Sequence, residues 1–292
     1  MNNILLVGAG RRNSLAELFI QNGFNIYSYE FDEVCPIQNV ATILKGKKWT
    51  DKDIKNDISK YVDDLNIKLV IPLQDQAIPI VYGIKNAICS TFESSKICFD
   101  KILFEEFMLQ NFPKIYPSPD SASKIIKKYR FGYGSNDIEI LGNKNFITDK
   151  NYVYQSLKVG DEYTVDAYFD KDSNFINACS RLRLRTAGGE VLDSLTKENK
   201  KLINSTKKVG EKLNLIGPTC FQYIVEKDNI FLFEINARFG GGSTLSIHSG
   251  LNMIKMLKKE YLENEKIYKK DYLVKYNILM RRAFRDFYYE LN

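Results

Sequence analysis

The sequence predicts an α/β chain that turns α+β in its second half, with a parallel sheet first and antiparallel sheets after it. Three observations carry this. Apolar strands and amphipathic helices alternate through the first hundred residues, as in a parallel sheet with helices packed on it. Three prolines, Pro113, Pro117 and Pro119, then mark a rigid boundary. From about residue 124 the pattern becomes one of short, hairpin-like strands.

Taken in order, the chain opens with a strand over 3–7 and a glycine turn, Gly8-Ala-Gly-Arg-Arg-Asn13. A helix over 15–22 is capped by Ser14 and ended by Gly23. A strand over 25–30 follows. A helix over 51–65 places Ile54, Ile58, Tyr61, Val62 and Leu65 on one face. A third strand, 68–72, ends in Pro72-Leu-Gln-Asp75, and a charged helix over 96–111 leads to the prolines. Strands are then expected over 124–129, 137–141, 152–157, 163–168 and 175–185, with a helix over 197–213. Strands over 219–226 and 230–236 flank a turn at Lys227-Asp-Asn229. A helix over 247–259 and a mixed tail complete the reading.

Composition narrows the function classes. The 292 residues are 44% hydrophobic and 27% charged, as in a soluble globular protein. Five scattered cysteines (Cys35, Cys89, Cys98, Cys179, Cys220) form no CxxC pair and read as reduced thiols of a cytoplasmic protein. The N-terminus has no basic n-region before an apolar core, and no apolar run approaches a membrane span, so neither export nor a membrane partner is expected. The single histidine, His248, leaves no zinc set and no histidine-based nucleophile system; it reads as a structural residue at a helix start. The net charge is +6, and the lysine clusters lack interleaved aromatics. That balance suits anionic small molecules better than nucleic acid.

The densest chemistry lies in residues 231–243, FLFEINARFGGGS. Glu234, Asn236 and Arg238 alternate along an apolar strand and so share one face, with Phe233, Ile235 and Ala237 on the other. A carboxylate and an amide oxygen suit a hard cation such as Mg²⁺, and the arginine suits a phosphate or carboxylate. The glycine run lets backbone N–H groups approach an anion. A solvated edge strand ended by a flexible loop fits the same letters. Further upstream, Lys128 precedes Gly132-Tyr-Gly-Ser135, either a phosphate-covering flap or a plain hairpin turn. Gln155-Ser-Leu157 and Glu162 form an extended segment able to meet a base and ribose, or a hairpin turning at Gly160-Asp161. Arg181, Arg183 and Arg185 alternate on one strand, as a cationic site or an exposed face. Gln222 sits one turn before Glu234, so antiparallel pairing can bring the two side chains together.

In this order the stretches resemble the ATP-grasp superfamily, and within it the carbamoyl-phosphate-synthase-like carboxylate–amine ligases. The resemblance implies a Rossmann-like parallel sheet domain over 1–95 and a linker helix over 96–119. A small flap subdomain over 120–160 and a large ATP-grasp subdomain with a C-terminal tail over 161–292 would make up a two-lobed ATP-grasp domain. It implies Lys128, Gly132, Gly134 and Ser135 on the phosphates, Gln155, Ser156 and Leu157 at the adenine, and Glu162 at the ribose. Gln222, Glu234 and Asn236 would hold Mg²⁺ (Mn²⁺ as an alternative) and phosphate, and Arg238, with Arg183 or Arg185, the reacting carboxylate. The implied reaction joins a small-molecule carboxylate to an amine through an acylphosphate, at the cost of ATP. Three departures stand out: Tyr129 replaces the family's proline, Ser156 replaces its hinge glutamate, and the stretch from Ser135 to Gln155 is short. They leave room for a degenerate member that binds nucleotide without ligating. A dinucleotide-dependent oxidoreductase using Gly8 and Gly10, with Glu30 or Asp32 on the ribose, is a third reading. The tail from Met280 to Tyr289 would pack on the ATP domain or form a subunit contact, as in a homodimer.

Overall fold

The computed structural model describes residues 2–119, 122–132, 138–142, 148–283 and 285–290. Its first sheet is built from β1 (Asn2–Val7), β2 (Phe24–Glu30), β3 (Thr42–Lys45) and β4 (Leu69–Pro72), all parallel, in the order β3-β2-β1-β4. The residues of β1 explain its central place. Ile4 and Leu6 face one helix layer, Leu5 and Val7 the other, and all four are fully buried. Helix α1 (Asn13–Gln21) covers the first face through Leu15, Ala16 and Phe19. Helices α2 (Ile54–Asp64) and α3 (Ala77–Val81) cover the second.

Several expectations change in this region. Arg12, not Ser14, stands at the N-cap of α1, and no side chain caps it. Strand β3 escaped the pattern because it has only four residues, none of them buried. The expected helix over 96–111 is two helices, α4 (Phe92–Phe99) and α5 (Lys101–Asn111), broken at Asp100. Asp100 is extended there and caps α5 by accepting from the Ile102 N–H, while Arg130 holds both its oxygens at 2.7 and 2.5 Å.

A three-stranded antiparallel sheet follows, ordered β6-β5-β7 from β5 (Lys124–Tyr129), β6 (Glu139–Gly142) and β7 (Tyr152–Ser156). The six-stranded sheet comprises β8 (Asp161–Phe169), β9 (Phe175–Ala187), β10 (Glu190–Thr196), β11 (Gly217–Glu226), β12 (Asn229–Asn236) and β13 (Leu279–Arg281). Its order is β12-β11-β8-β9-β10-β13. Strands β7 and β8 therefore belong to different sheets, and the segment at Gly160 is a crossing rather than a hairpin turn. The crossing passes so close to β11 that a Cβ on Gly160 would lie 2.1 Å from the Val225 carbonyl oxygen.

Helix α6 (Lys200–Lys212), capped by Asn199, packs on the apolar face formed by Tyr163, Val165, Ala167, Phe221 and Ile235. The opposite face carries the polar side chains described below. The expected helix over 247–259 is instead α7 (Ser243–His248) and α8 (Met253–Leu257), followed by one π-type turn. Gly250, at φ +114°, separates them, and Asn252 caps α8. His248 consequently ends a helix and is exposed. Phe19 of α1 meets Phe239 edge-on at 5.8 Å within a core that both units share.

Candidate ATP-grasp active site

The site is assembled by cross-strand register. Glu234 of β12 stands opposite Gln222 of β11, Gln222 opposite Thr164 of β8, and Thr164 opposite Arg181 of β9. Opposed residues share a face and adjacent strands lie about 4.8 Å apart, so these four side chains make one polar row. The neighbouring row on the same face holds Asn236 and Asp166. The expected meeting of Gln222 with Glu234 is thus observed.

A bulge alters the rest of the strand reading. Tyr223 pairs with Leu232 and Gln222 with Glu234, which leaves Phe233 as the extra residue of β12. The inward set therefore changes phase, from Ile230 and Leu232 before the bulge to Ile235 and Ala237 after it. Phe233 does not join Ile235 on the buried face. Its ring lies under the Lys128 ammonium, 4.6 Å from the centroid.

Lys128 comes from the three-stranded sheet and crosses to this face. Its Nζ donates to Gln155 Oε1 at 2.8 Å. Burial lowers its pKa to about 8, against the opposing pull of Glu234 and Glu162. Gln155 is buried and fully engaged: its Nε2 donates to the Tyr116 hydroxyl and the Phe233 carbonyl. Its side chain therefore ties the two sheets together rather than facing a base. Ser156 differs; its hydroxyl is buried with no hydrogen-bond partner among the described residues. The backbone N–H groups of Ser156 and Leu157 already go to Pro117 O and Lys124 O. Glu162 pairs with Arg183 at 2.9 Å, and burial raises its pKa despite Arg183 and Lys128.

Three arginines follow different courses. Arg181 is buried against Asp166, 2.7 Å away, and Ser246 Oγ donates to the same carboxylate at 2.6 Å. The sequence reading passed over Arg181 as part of a cationic face, yet it is the arginine in the Glu234 row. Arg183 lies one step along, with Glu162. Arg185 lies beyond the start of β8, 62% exposed and paired with Asp193, about 14 Å along the strand from Arg181. The structure does not bring Arg185 to Arg238. Arg238 itself donates to Asp75 at 2.6 Å, to Asn236 Oδ1 at 3.0 Å and to its neighbour's carbonyl, Phe239 O. Asn236 Nδ2 in turn donates to Glu234 at 2.9 Å. Asp75, which follows the expected strand over 68–72, is the partner of Arg238.

The donor set fits a hard cation on one count: among the described residues Glu234 has no ion pair and accepts only from an amide. One carboxylate with the amide oxygens of Asn236 and Gln222 matches Mg²⁺, which keeps most of its ligands as phosphate and water. Holding it requires the Asn236 amide to turn its oxygen toward Glu234. Gly132 gives its N–H to Tyr129 O and accepts from Lys101. Gly134 and Ser135 lie outside the described residues.

The glycine turn at the head of the chain tells against a dinucleotide. Glu30 Oε1 accepts from the N–H groups of Ala9 and Gly10 at 2.7 and 3.1 Å and from Ser28 Oγ at 2.6 Å. A carboxylate thus fills the backbone cradle that a pyrophosphate would need.

Residues 151–280 match the family described as "ATP-grasp in the biosynthetic pathway with Ter operon". Among solved structures, biotin carboxylase from Campylobacter jejuni superposes with a TM-score of 0.74 at 15% identity, over 95% of this chain and 74% of that one. N5-carboxyaminoimidazole synthetase from Staphylococcus aureus complexed with ADP gives 0.68 at 13% identity, over 91% and 78%. L-amino acid ligase from Bacillus licheniformis gives 0.67 at 14% identity, over 93% and 76%. At such identities the likeness establishes a common fold. No curated protein matches the sequence. Among the described residues no helix is long and apolar enough to cross a membrane.

Proposed function

Because the chain has the ATP-grasp fold, with residues 151–280 matching an ATP-grasp family, we propose that it is an ATP-dependent carboxylate–amine ligase. Lys128 carries the reading. A lysine from one sheet that bonds Gln155, lies over Phe233 of the other sheet and feels Glu234 and Glu162 has the surroundings of a group that waits for a polyphosphate. Small-molecule substrates, a carboxylate and an amine, agree with the modest positive charge.

In this reading ATP lies between the three-stranded sheet and the β11–β12 pair. Lys128 binds the phosphates, with Gly132 at the base of the covering turn. The free Ser156 hydroxyl and the Leu157 segment meet the adenine, and Glu162 orients the ribose. Glu234, Asn236 and Gln222 would hold Mg²⁺, which when bound neutralises charge on the transferring phosphoryl group. The γ-phosphoryl passes to an oxygen of the substrate carboxylate, the bond to the β-phosphate oxygen breaks, and ADP leaves. An amine then adds to the acylphosphate carbon, phosphate departs, and the amine loses a proton. Arg238 steadies the oxyanion that forms during this exchange, while Arg183 stays with Glu162 at the ribose end. Arg185 has no part in it.

The test is a thermal-shift titration with Mg²⁺·ATP on wild type and Glu234→Gln, followed by ADP release with carboxylate and amine pairs. A magnesium-dependent stabilisation that the variant loses, together with ADP release that needs a carboxylate, supports the ligase. Stabilisation without any ADP release favours the second reading, a nucleotide-binding protein that ligates nothing. One observation leans that way: Arg238 is already engaged by Asp75 and Asn236. No stabilisation by ATP removes both.

A further inference from the structure

One guanidinium near the site has a place in the geometry but no task in the reaction above. Gly8 and Gly10, both at positive φ, turn the chain so that Arg12 begins α1 and reaches the far end of β12. Its Nη1 donates to Phe239 O at 2.8 Å, and Arg238 Nη1 donates to the same oxygen at 3.0 Å. Two cations, one at the head of α1 and one just past the end of β12, thus meet on one carbonyl. That contact is the only hydrogen bond of the Arg12 side chain among the described residues. Arg238 Nε is buried and has no hydrogen-bond partner among the described residues.

The charges nearby are unevenly paired. Asp75 is taken by Arg238. Glu190, largely exposed, is taken by Arg282, whose Nη2 also donates to Gly241 O. Around the 239–241 turn Arg238, Arg282 and Arg181 are each paired with a carboxylate, Asp75, Glu190 and Asp166, and among the described residues Arg12 is the guanidinium with no carboxylate of its own. Burial, and next Arg238, bring the Arg12 pKa down to about 9, with Asp75 and Glu190 pulling the other way. Glu234, which has no ion pair among the described residues, lies on the other side of Asn236 and Arg238, so a ligand carrying negative charge would give Arg12 the direct partner it lacks. Along the chain of contacts Glu234, Asn236, Arg238, Phe239 O, Arg12, the last lies farthest from the phosphoryl-transfer end.

We propose that Arg12 is a specificity-determining residue that binds a second oxyanion on the acceptor, beside the carboxylate held by Arg238. The substrate class is then carboxylic acids that bear a further carboxylate or a phosphate ester. This rests on the ligase reading for the word acceptor, but the anion site itself can be tested without turnover.

The experiment titrates the full chain with succinate and, separately, inorganic phosphate near neutral pH at constant ionic strength, following the melting temperature. Wild type, Arg12→Ala, Arg12→Lys and the exposed neighbour Arg11→Ala are compared. Wild type and Arg11→Ala should gain stability with millimolar probe, Arg12→Lys less, and Arg12→Ala should gain none. The probe with the larger shift tells whether carboxylate or phosphate is preferred. In ADP-release assays, Arg12→Ala should raise KM for a dianionic acceptor about tenfold or more while leaving KM for its monocarboxylate analogue unchanged. No shift in wild type, an undiminished shift in Arg12→Ala, or an equal KM rise for both acceptors overturns the proposal. Anion binding without ADP release from any acceptor would instead sink the ligase reading and leave the anion site standing.

Discussion

Asp75 Oδ2 lies 2.6 Å from Arg238 Nη2 although 163 residues separate them, and the contact joins the parallel sheet to the six-stranded one. Both side chains are mostly buried, so each depends on the other for charge compensation. Asp75→Asn should destabilise the chain by about 3 kcal/mol, because it leaves Arg238 and Arg12 without their shared carboxylate. Adding Arg12→Ala to that variant should recover part of the loss by removing one of the repelling cations. Urea unfolding of the two single variants and the double variant measures the coupling.

The Lys128 ammonium gives a pH dependence of opposite sign for binding and for stability. Its pKa is about 8 in the folded chain, against an ordinary value of 10.5. The charged form should bind phosphate, so KM for ATP should rise as pH passes upward through about 8. Between about 8 and 10.5 the unfolded chain holds a proton that the folded chain has released, so this group's contribution to stability should grow with pH. Lys128→Arg keeps its charge across this range and should flatten both profiles, as seen in ATP titrations and melts at stepped pH.

Asp166→Asn should be among the most damaging changes in the protein. It would leave the fully buried Arg181 uncompensated and weaken the bond from Ser246, costing about 4 kcal/mol. Arg181→Met combined with Asp166→Leu removes both charges and should cost less than Asp166→Asn alone. Guanidinium unfolding curves rank the two.

Gly210 marks the closest approach of α6 to its sheet. A Cβ there would sit 2.0 Å from the buried Phe169 ring. Gly210→Ala should therefore destabilise by about 2 kcal/mol, despite the gain in helix propensity. Phe169→Leu in the same chain should relieve the clash and raise the melting temperature of the Gly210→Ala variant.

What the sequence disclosed depended on how locally each feature is specified. β5 is legible to its ends because a short run of lysine and isoleucine lies between the Pro113–Pro119 boundary and the glycines at 132 and 134. The meeting of Gln222 and Glu234 followed from a three-residue turn and antiparallel pairing. Phe233 was misplaced because a bulge resets the alternation, and nothing in the letters marks where. Arg181 looked like its neighbours Arg183 and Arg185; only the register of β8 with β9 brings Asp166 to it. Arg12 is inconspicuous in the sequence because Gly8 and Gly10 account for the turn by themselves. Two adjacent arginines after a glycine turn, with no acidic residue in the first helical turn, were the available signal.

The Gly240–Gly242 turn closes on the guanidinium of Arg181. A Cβ on Gly242 would stand 2.6 Å from Arg181 Nη1, and one on Gly240 would stand 2.9 Å from both Asp166 and Cys220. These glycines are thus a fitted lid over a buried ion pair rather than a loose hinge. A side chain introduced there would be felt first by Arg181 and Asp166, and only through them by any ligand. Loss of turnover in a glycine variant would then carry no information about which backbone N–H groups touch substrate. Efforts to broaden the range of acceptors would do better to leave this turn intact and diversify position 12, which bears on specificity without holding the sheet together.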